Sequence, residues 1–209
     1  KRLLVGGIEK VFEINRNFRN EGADSSHNPE FTMLEMYQAY GDYNSMRELT
    51  QQVIHEAALA VHGDLLVRHR DDEGNVSEYD ISGDWPVIPI NRGISEALGE
   101  ELTADTEADQ LRTWCASADI ALDPAWGRGQ IVLEMYEHLL ESRTTAPTFY
   151  TDFPTEVSPL TRQHREDPRL AERWDLVAFG SEVGTAYSEL VDPVEQRARL
   201  TAQSLLATG

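Results

Sequence analysis

The chain has 209 residues, 37 acidic against 18 basic side chains, a formal net charge of −19 and 40% hydrophobic residues. That length is enough to bury a sizeable core as one domain with an inserted lobe, and the charge argues against a broad nucleic-acid footprint, which needs clustered Lys and Arg. The lone Cys115 excludes an internal disulfide and fits a reducing cytosol, no stretch is long and apolar enough to span a bilayer, and the N-terminus carries no signal-peptide pattern.

Val11 to Phe18 alternates Phe12, Ile14, Arg16 and Phe18 against Val11, Glu13, Asn15 and Asn17, which predicts a strand. Phe31 to Tyr40 alternates again, with Phe31, Met33, Glu35, Tyr37 and Ala39 on one face. Gly22, Asp24, Ser25, Ser26, Asn28 and Pro29 lie between, so the two strands are expected to form an antiparallel hairpin with a long polar loop, a common place for function. Glu35 sits on an apolar and aromatic face, where a carboxylate is costly unless a cation or donor meets it. A bound ammonium is one such cation. Arg19, at the base of the loop, offers a fork suited to phosphate or carboxylate; the alternative is that Arg19 and Glu35 pair with each other or with other side chains.

Ser45-Met46-Arg47-Glu48 has a capping-box pattern, and Met46, Leu49, Val53, Ala57 and Ala60 follow at helical spacing up to Gly63, predicting a helix that backs a sheet. Leu65 to His69 and Ser77 to Ile81 read as a hairpin with a solvated acidic tip at Asp71, Asp72 and Glu73. Short helices follow from Ile94 to about Ala121, with Thr106 and Asp109 as a cap and Ala108, Leu111, Cys115 and Ala118 on one face. Gln130 to Glu141 is another helix. Thr148 to Phe153, Trp174 to Phe179 and Val183 to Leu190 read as strands, and Asp192-Pro193 opens a C-terminal helix with a cap residue and a proline at its first position. Without a regular βαβ repeat, the fold class expected is α+β, an antiparallel sheet flanked by helices.

Three strings carry a resemblance. FRNEG at Phe18 to Gly22, followed by HNPEFTMLEMYQAYGDY from His27, resembles motif 2 of class II aminoacyl-tRNA synthetases, specifically the lysyl-tRNA synthetases. PTFYTDFPTEVSPLTR from Pro147 and RWDLVAFGSEVGTAYSELVDPVEQ from Arg173 resemble further segments of that family. The wording is most similar to the synthetase-like part of actinobacterial bifunctional proteins that join a lysine-tRNA ligase to a membrane lysylphosphatidylglycerol synthetase. The resemblance implies a partial class II catalytic domain over residues 1–209 with a helical insertion at 91–126. Motif 1 is expected before Lys1 and motif 3 beyond Gly209. The full-length form is expected to be a homodimer, and the fragment alone to be inactive. The family's anticodon-reading OB-fold domain lies outside the matched strings.

The resemblance also implies roles. Arg19 would hold the α-phosphate of ATP and the lysine carboxylate, Glu21 would read the adenine amino group, His27 would approach the triphosphate, and Phe31 would stack on adenine. Glu35 would take the α-ammonium of L-lysine, with Tyr37 and Glu189 at its ε-ammonium and Thr185 in the same pocket. Asp175 and Glu182 would ligate Mg²⁺, an ion that suits carboxylate plus phosphate oxygens. Taken singly, His27 reads as a solvated loop histidine, Phe31 and Tyr37 as core, and Asp175 and Glu182 as residues flanking an ordinary Phe179-Gly180 hairpin turn. Thr185 and Asp175 stand where the family more often has Asn and Glu. The implied function is ATP-dependent activation of lysine to lysyl-adenylate and its transfer to tRNA(Lys) in the cytoplasm. One alternative is a parent that supplies lysyl-tRNA for lysyl-phosphatidylglycerol, attached to a membrane through sequence outside this chain. Another is a non-catalytic lysine-binding module. A geometric conflict goes with these roles: Glu182 and Glu189 are seven apart, so a regular strand sends them to opposite faces, and Gly184 offers a place for a bulge.

Overall fold

The computed structural model describes residues 1–20, 22, 28–70 and 73–207, with side chains through 204. Contacts divide the chain into two compact units, Lys1–Gly41 and Asp42–Gly209.

In the first unit, a one-turn helix α1 (Arg2–Val5) precedes strands β1 (Lys10–Phe18) and β2 (Glu30–Gln38), which pair antiparallel as expected. The register puts Val11 opposite Tyr37, Glu13 opposite Glu35, Asn15 opposite Met33 and Asn17 opposite Phe31. β2 stops short of Tyr40, which takes φ 60, a conformation that breaks an extended run. The other face of the hairpin carries Phe12, Ile14 and Phe18, all exposed.

The second unit begins with α2 (Tyr43–His62) and a hairpin of β3 (Leu66–Arg70) and β4 (Val76–Asp80). Next come β5 (Val87–Pro89), α3 (Ile90–Leu98), α4 (Ala108–Ser117) and α5 (Arg128–Leu139). β6 (Thr148–Pro154), β7 (Leu170–Ala178), β8 (Ser181–Tyr187) and α6 (Pro193–Ala207) complete it. The main sheet runs β5-β6-β7-β8; β6, β7 and β8 are antiparallel, and β5 joins β6 in parallel. Three residues with a proline at the end carry too little periodicity to announce β5 from sequence.

Helix α2 backs the sheet, as its spacing predicts, but starts earlier. Its cap is Asp42, not Ser45: the Asp42 carboxylate accepts from the Asn44 and Ser45 amides, each at 3.1 Å, and Ser45 Oγ accepts from the Asp42 amide at 3.0 Å. A carboxylate with two amides in reach outcompetes a hydroxyl as cap, and Ser45 then fills the reciprocal position of the box. Ala57 and Ala60 are exposed, because the helix is anchored instead through Tyr43, Met46 and His55. The Trp174 indole N–H donates to the Tyr43 carbonyl at 2.6 Å, and His55 Nε2 lies 2.6 Å from the Ile81 carbonyl oxygen.

Thr106 does not cap α4 either; its Oγ1 accepts from the Thr103 amide at 3.0 Å, and Glu107 precedes the helix. Leu111 and Cys115 are fully buried as their spacing predicts, and burial pushes the Cys115 thiol pKa up. These two share one core with Ile94 of α3, Ile131 and Met135 of α5 and Val177 of β7. At the C-terminal end, Asp192 Oδ1 accepts from the Val194 and Glu195 amides, so α6 starts where the Asp-Pro pair predicts.

Candidate active site

In the first unit, β1 and β2 bring Arg19, Phe31, Glu35 and Tyr37 onto one hairpin. Phe31, Glu35 and Tyr37 share the more covered face of β2, and Arg19 leaves β1 beside the strand's end, its amide donating to the Pro29 carbonyl at 3.0 Å. The Arg19 guanidinium stands 5.4 Å from the centre of the Phe31 ring, close enough for a cation–π contact. The Tyr37 ring is likewise faced by an ammonium, the Lys1 Nζ at 5.5 Å. Glu35 lies directly across from Glu13, and two like charges in register repel unless a cation joins them. Glu21 and His27 lie outside the described residues.

In the second unit, the decisive feature is a bulge in β8. Val177 pairs with Glu182 and Leu176 with Gly184, so Val183 has no partner across the ladder. The extra residue reverses the alternation. Glu182, opposite Val177, therefore falls on the same face as Thr185, which is opposite Asp175. Continued alternation past Tyr187 carries Glu189 to that side too, where it bridges Thr161. The conflict between Glu182 and Glu189 is removed by one inserted residue beside Gly184. Thr185 Oγ1 donates to the Trp174 carbonyl at 3.0 Å, which fixes its rotamer.

Asp175 is 2% exposed and gripped by Arg173, whose Nε and Nη2 donate to its two oxygens at 3.0 and 2.7 Å. Arg173 in turn stacks on Phe153 at 4.3 Å. From α5 and the 3₁₀ turn after it (Glu141–Arg143) come Glu137 and Glu141. Burial first, then neighbouring carboxylates including Asp175, push the pKa of both above the usual carboxylate range. The Glu182 amide donates to Glu141 and works the other way. The Tyr136 hydroxyl, in a residue 1% exposed, has no hydrogen-bond partner among the described residues, and burial with the charges of Asp175, Glu141 and Glu182 pushes its pKa far up.

The opposite face of the sheet holds a second polar group of side chains. The Tyr43 hydroxyl donates to Asp152 at 3.4 Å, Thr151 Oγ1 donates to the same carboxylate at 3.0 Å, and His164 Nε2 lies 3.9 Å away. Burial outweighs these contacts and raises the Asp152 pKa; burial and Asp152 push Tyr43 up to about 12. Arg165 bridges the buried Glu172 at 2.7 Å to Asp42 at 2.6 Å.

Residues 1–208 match the family described as tRNA synthetases class II (D, K and N). The chain belongs to that family. It is 63% identical over 207 residues to the lysylphosphatidylglycerol biosynthesis bifunctional protein LysX of Gordonia bronchialis, covering 99% of this chain and 18% of that protein. The LysX proteins of Nocardia farcinica and Mycobacterium tuberculosis (strain F11) are each 56% identical, over 209 and 216 residues, covering 100% of this chain and 18% of each relative. The chain thus spans under a fifth of the length of these curated relatives.

Class II synthetases use ATP and Mg²⁺, and the donor set bears on how an ion would sit here. Among the described residues no three His, Cys, Asp or Glu side chains come together as a metal cage. Asp175 and Glu182 on one face are a pair of hard carboxylates, which fits Mg²⁺ only when phosphate and water oxygens fill the other positions. Arg173, Glu137, Glu141 and Tyr136 were missed in the sequence. The i, i+2 spacing of Arg173 and Asp175 on a strand was a usable signal; the other three depend on how α5 packs.

Proposed function

We propose that this chain is the central part of the catalytic domain of an ATP-dependent lysine-activating ligase, lysine-tRNA ligase, working within a longer homodimeric protein. The observation that supports it most is the β8 bulge, which puts Asp175, Glu182 and Thr185 on one face as the family's ligand roles require. In this reading a lysine carboxylate oxygen attacks the α-phosphorus of ATP, the bond to pyrophosphate breaks, and lysyl-adenylate forms. The lysyl group then passes to a hydroxyl at the 3′ end of tRNA(Lys), releasing AMP.

Arg19 orients the carboxylate against the α-phosphate and stabilises the charge that builds there. Phe31 supplies an aromatic platform for adenine, with Glu21 at its amino group and His27 near the triphosphate. Glu35 takes the α-ammonium; its opposition to Glu13 makes a cation welcome at that spot. Tyr37 and Glu189 are the residues this reading assigns to the ε-ammonium, with Thr185 as a further lysine-binding residue. Asp175 and Glu182 would hold Mg²⁺, which would supply positive charge to offset that of the phosphates.

The relatives' description as bifunctional proteins of lysylphosphatidylglycerol biosynthesis favours a second element of this reading. The parent supplies lysyl-tRNA to a lipid-lysylating step from the cytoplasmic side of a membrane, held there by sequence outside this chain. Among the described residues no helix is long and apolar enough to cross a membrane. The test is lysine-dependent ATP–pyrophosphate exchange by the full-length protein, followed by transfer of labelled lysine to tRNA. Exchange that needs lysine supports the ligase; lysine binding without exchange replaces it with a non-catalytic lysine-binding module.

A further inference from the structure

Arg173 commits its donor fork to a single carboxylate. Both oxygens of Asp175 are engaged, at 3.0 and 2.7 Å, and the guanidinium is stacked 4.3 Å over the fully buried Phe153 ring, so its plane is held. A planar fork saturating a carboxylate is the most specific pairing that two side chains make. The surroundings are acidic. Glu137 and Glu141 both feel the Asp175 charge, Arg173 opposes it at each, and the Glu182 backbone closes onto Glu141. One guanidinium therefore offsets three carboxylates, those of Asp175, Glu137 and Glu141. A free divalent ion approaching Asp175 meets a fixed positive charge and two occupied oxygens, and the described residues offer no third ligand to repay displacement. Phosphate oxygens of a nucleotide would supply what the protein lacks.

We propose that Arg173 is a positioning residue that acts as an internal counter-ion: it holds Asp175 closed to free divalent cations and ready for a cation that arrives on a nucleoside triphosphate. This rests on the reading of Asp175 as a metal-facing carboxylate given above. Such a device keeps a buried acidic face stable between turnovers and makes metal capture depend on nucleotide. Removing a charge at contact distance changes cation affinity strongly, even where solvent screens it.

The test is Mn²⁺ binding to the full-length protein, followed by electron paramagnetic resonance. Without nucleotide, Arg173→Gln should bind Mn²⁺ ~10-fold tighter than wild type. A merely structural arginine gives no gain. Arg173→Lys keeps the charge but loses the fork, and should gain only ~2- to 5-fold. Arg173→Gln combined with Asp175→Asn should abolish the gain. In the wild type, a non-hydrolysable ATP analogue should tighten Mn²⁺ binding by ~10-fold or more. Equal or weaker Mn²⁺ binding by folded Arg173→Gln, or a gain that survives loss of Asp175, overturns the inference. If circular dichroism shows Arg173→Gln unfolded, the absence of any gain in Arg173→Lys overturns it. Wild-type exchange is scored beside these: exchange with no gain removes the counter-ion role and leaves the ligase, whereas a gain without exchange does the reverse.

Discussion

Arg19 is the residue on which the proposed chemistry turns, and its guanidinium stands over the Phe31 ring. In the full-length protein, Arg19→Ala should lower lysine-dependent exchange by roughly 10²- to 10³-fold, the loss expected when one donor to a charged transition state is removed. Exchange near the wild-type rate would show that the α-phosphate is held elsewhere. Glu189→Gln should blunt discrimination between lysine and uncharged amino acids, because a partly buried carboxylate penalises any substrate lacking the distal ammonium; competition assays with norleucine read this directly. Asp152 makes a pH prediction. Its pKa is raised by burial, so its favourable contribution is complete below the ordinary carboxylate range and is lost as pH rises through the elevated value. Asn tolerates the φ of 66 found there. Asp152→Asn should therefore melt higher than wild type at pH 7 to 8, the difference shrinking below about pH 4, where the wild-type carboxyl is protonated as well.

At the scale of elements, the β7–β8 hairpin shows how local and tertiary demands meet. Phe179 and Gly180 have φ 56 and 76, both positive, as a two-residue hairpin turn that follows the strand twist requires. Phe179 is tolerated there because its ring is held: it stacks on His69 at 4.3 Å and meets Tyr79 edge-on at 5.1 Å. The β3–β4 hairpin, which the sequence leaves without chemistry, thus clasps the turn that leads into the bulged strand. Gly180→Ala adds a Cβ in a left-handed conformation, 3.3 Å from the Ser142 carbonyl oxygen, and should cost about 1 kcal/mol or more. Denaturant titration measures that loss; an unchanged midpoint would mean the turn relaxes. Every strand but β5, together with α5 and the start of α6, was legible from alternation, spacing and the Asp192-Pro193 pair. The caps of α2 and α4 were displaced because several side chains near each start compete for the same amides, and the winner is set by three-dimensional reach.

At the scale of the whole chain, charge dominates. With a formal net charge of −19, self-repulsion opposes compaction, and one guanidinium serves an acidic face. Raising NaCl from ~0.05 to ~0.5 M should therefore raise the thermal midpoint, as the screening length shrinks to a few ångströms. A midpoint that falls with salt would show that attractive pairs such as Arg165 with Glu172 and Asp42 outweigh the excess.

Read alone, the chain already contains the α+β class, the hairpin bearing Arg19, Phe31, Glu35 and Tyr37, and membership of the class II synthetases, because alternation of side chains and dense motifs are local properties of the chain. Packing in three dimensions was needed to establish that Glu182 shares a face with Asp175 and Thr185, that Arg173 closes on Asp175, and that α5 and the 3₁₀ turn after it bring Glu137, Tyr136 and Glu141 alongside. A bulge shifts register by one residue and a fork depends on rotamers set by packing, and neither leaves a period in the sequence.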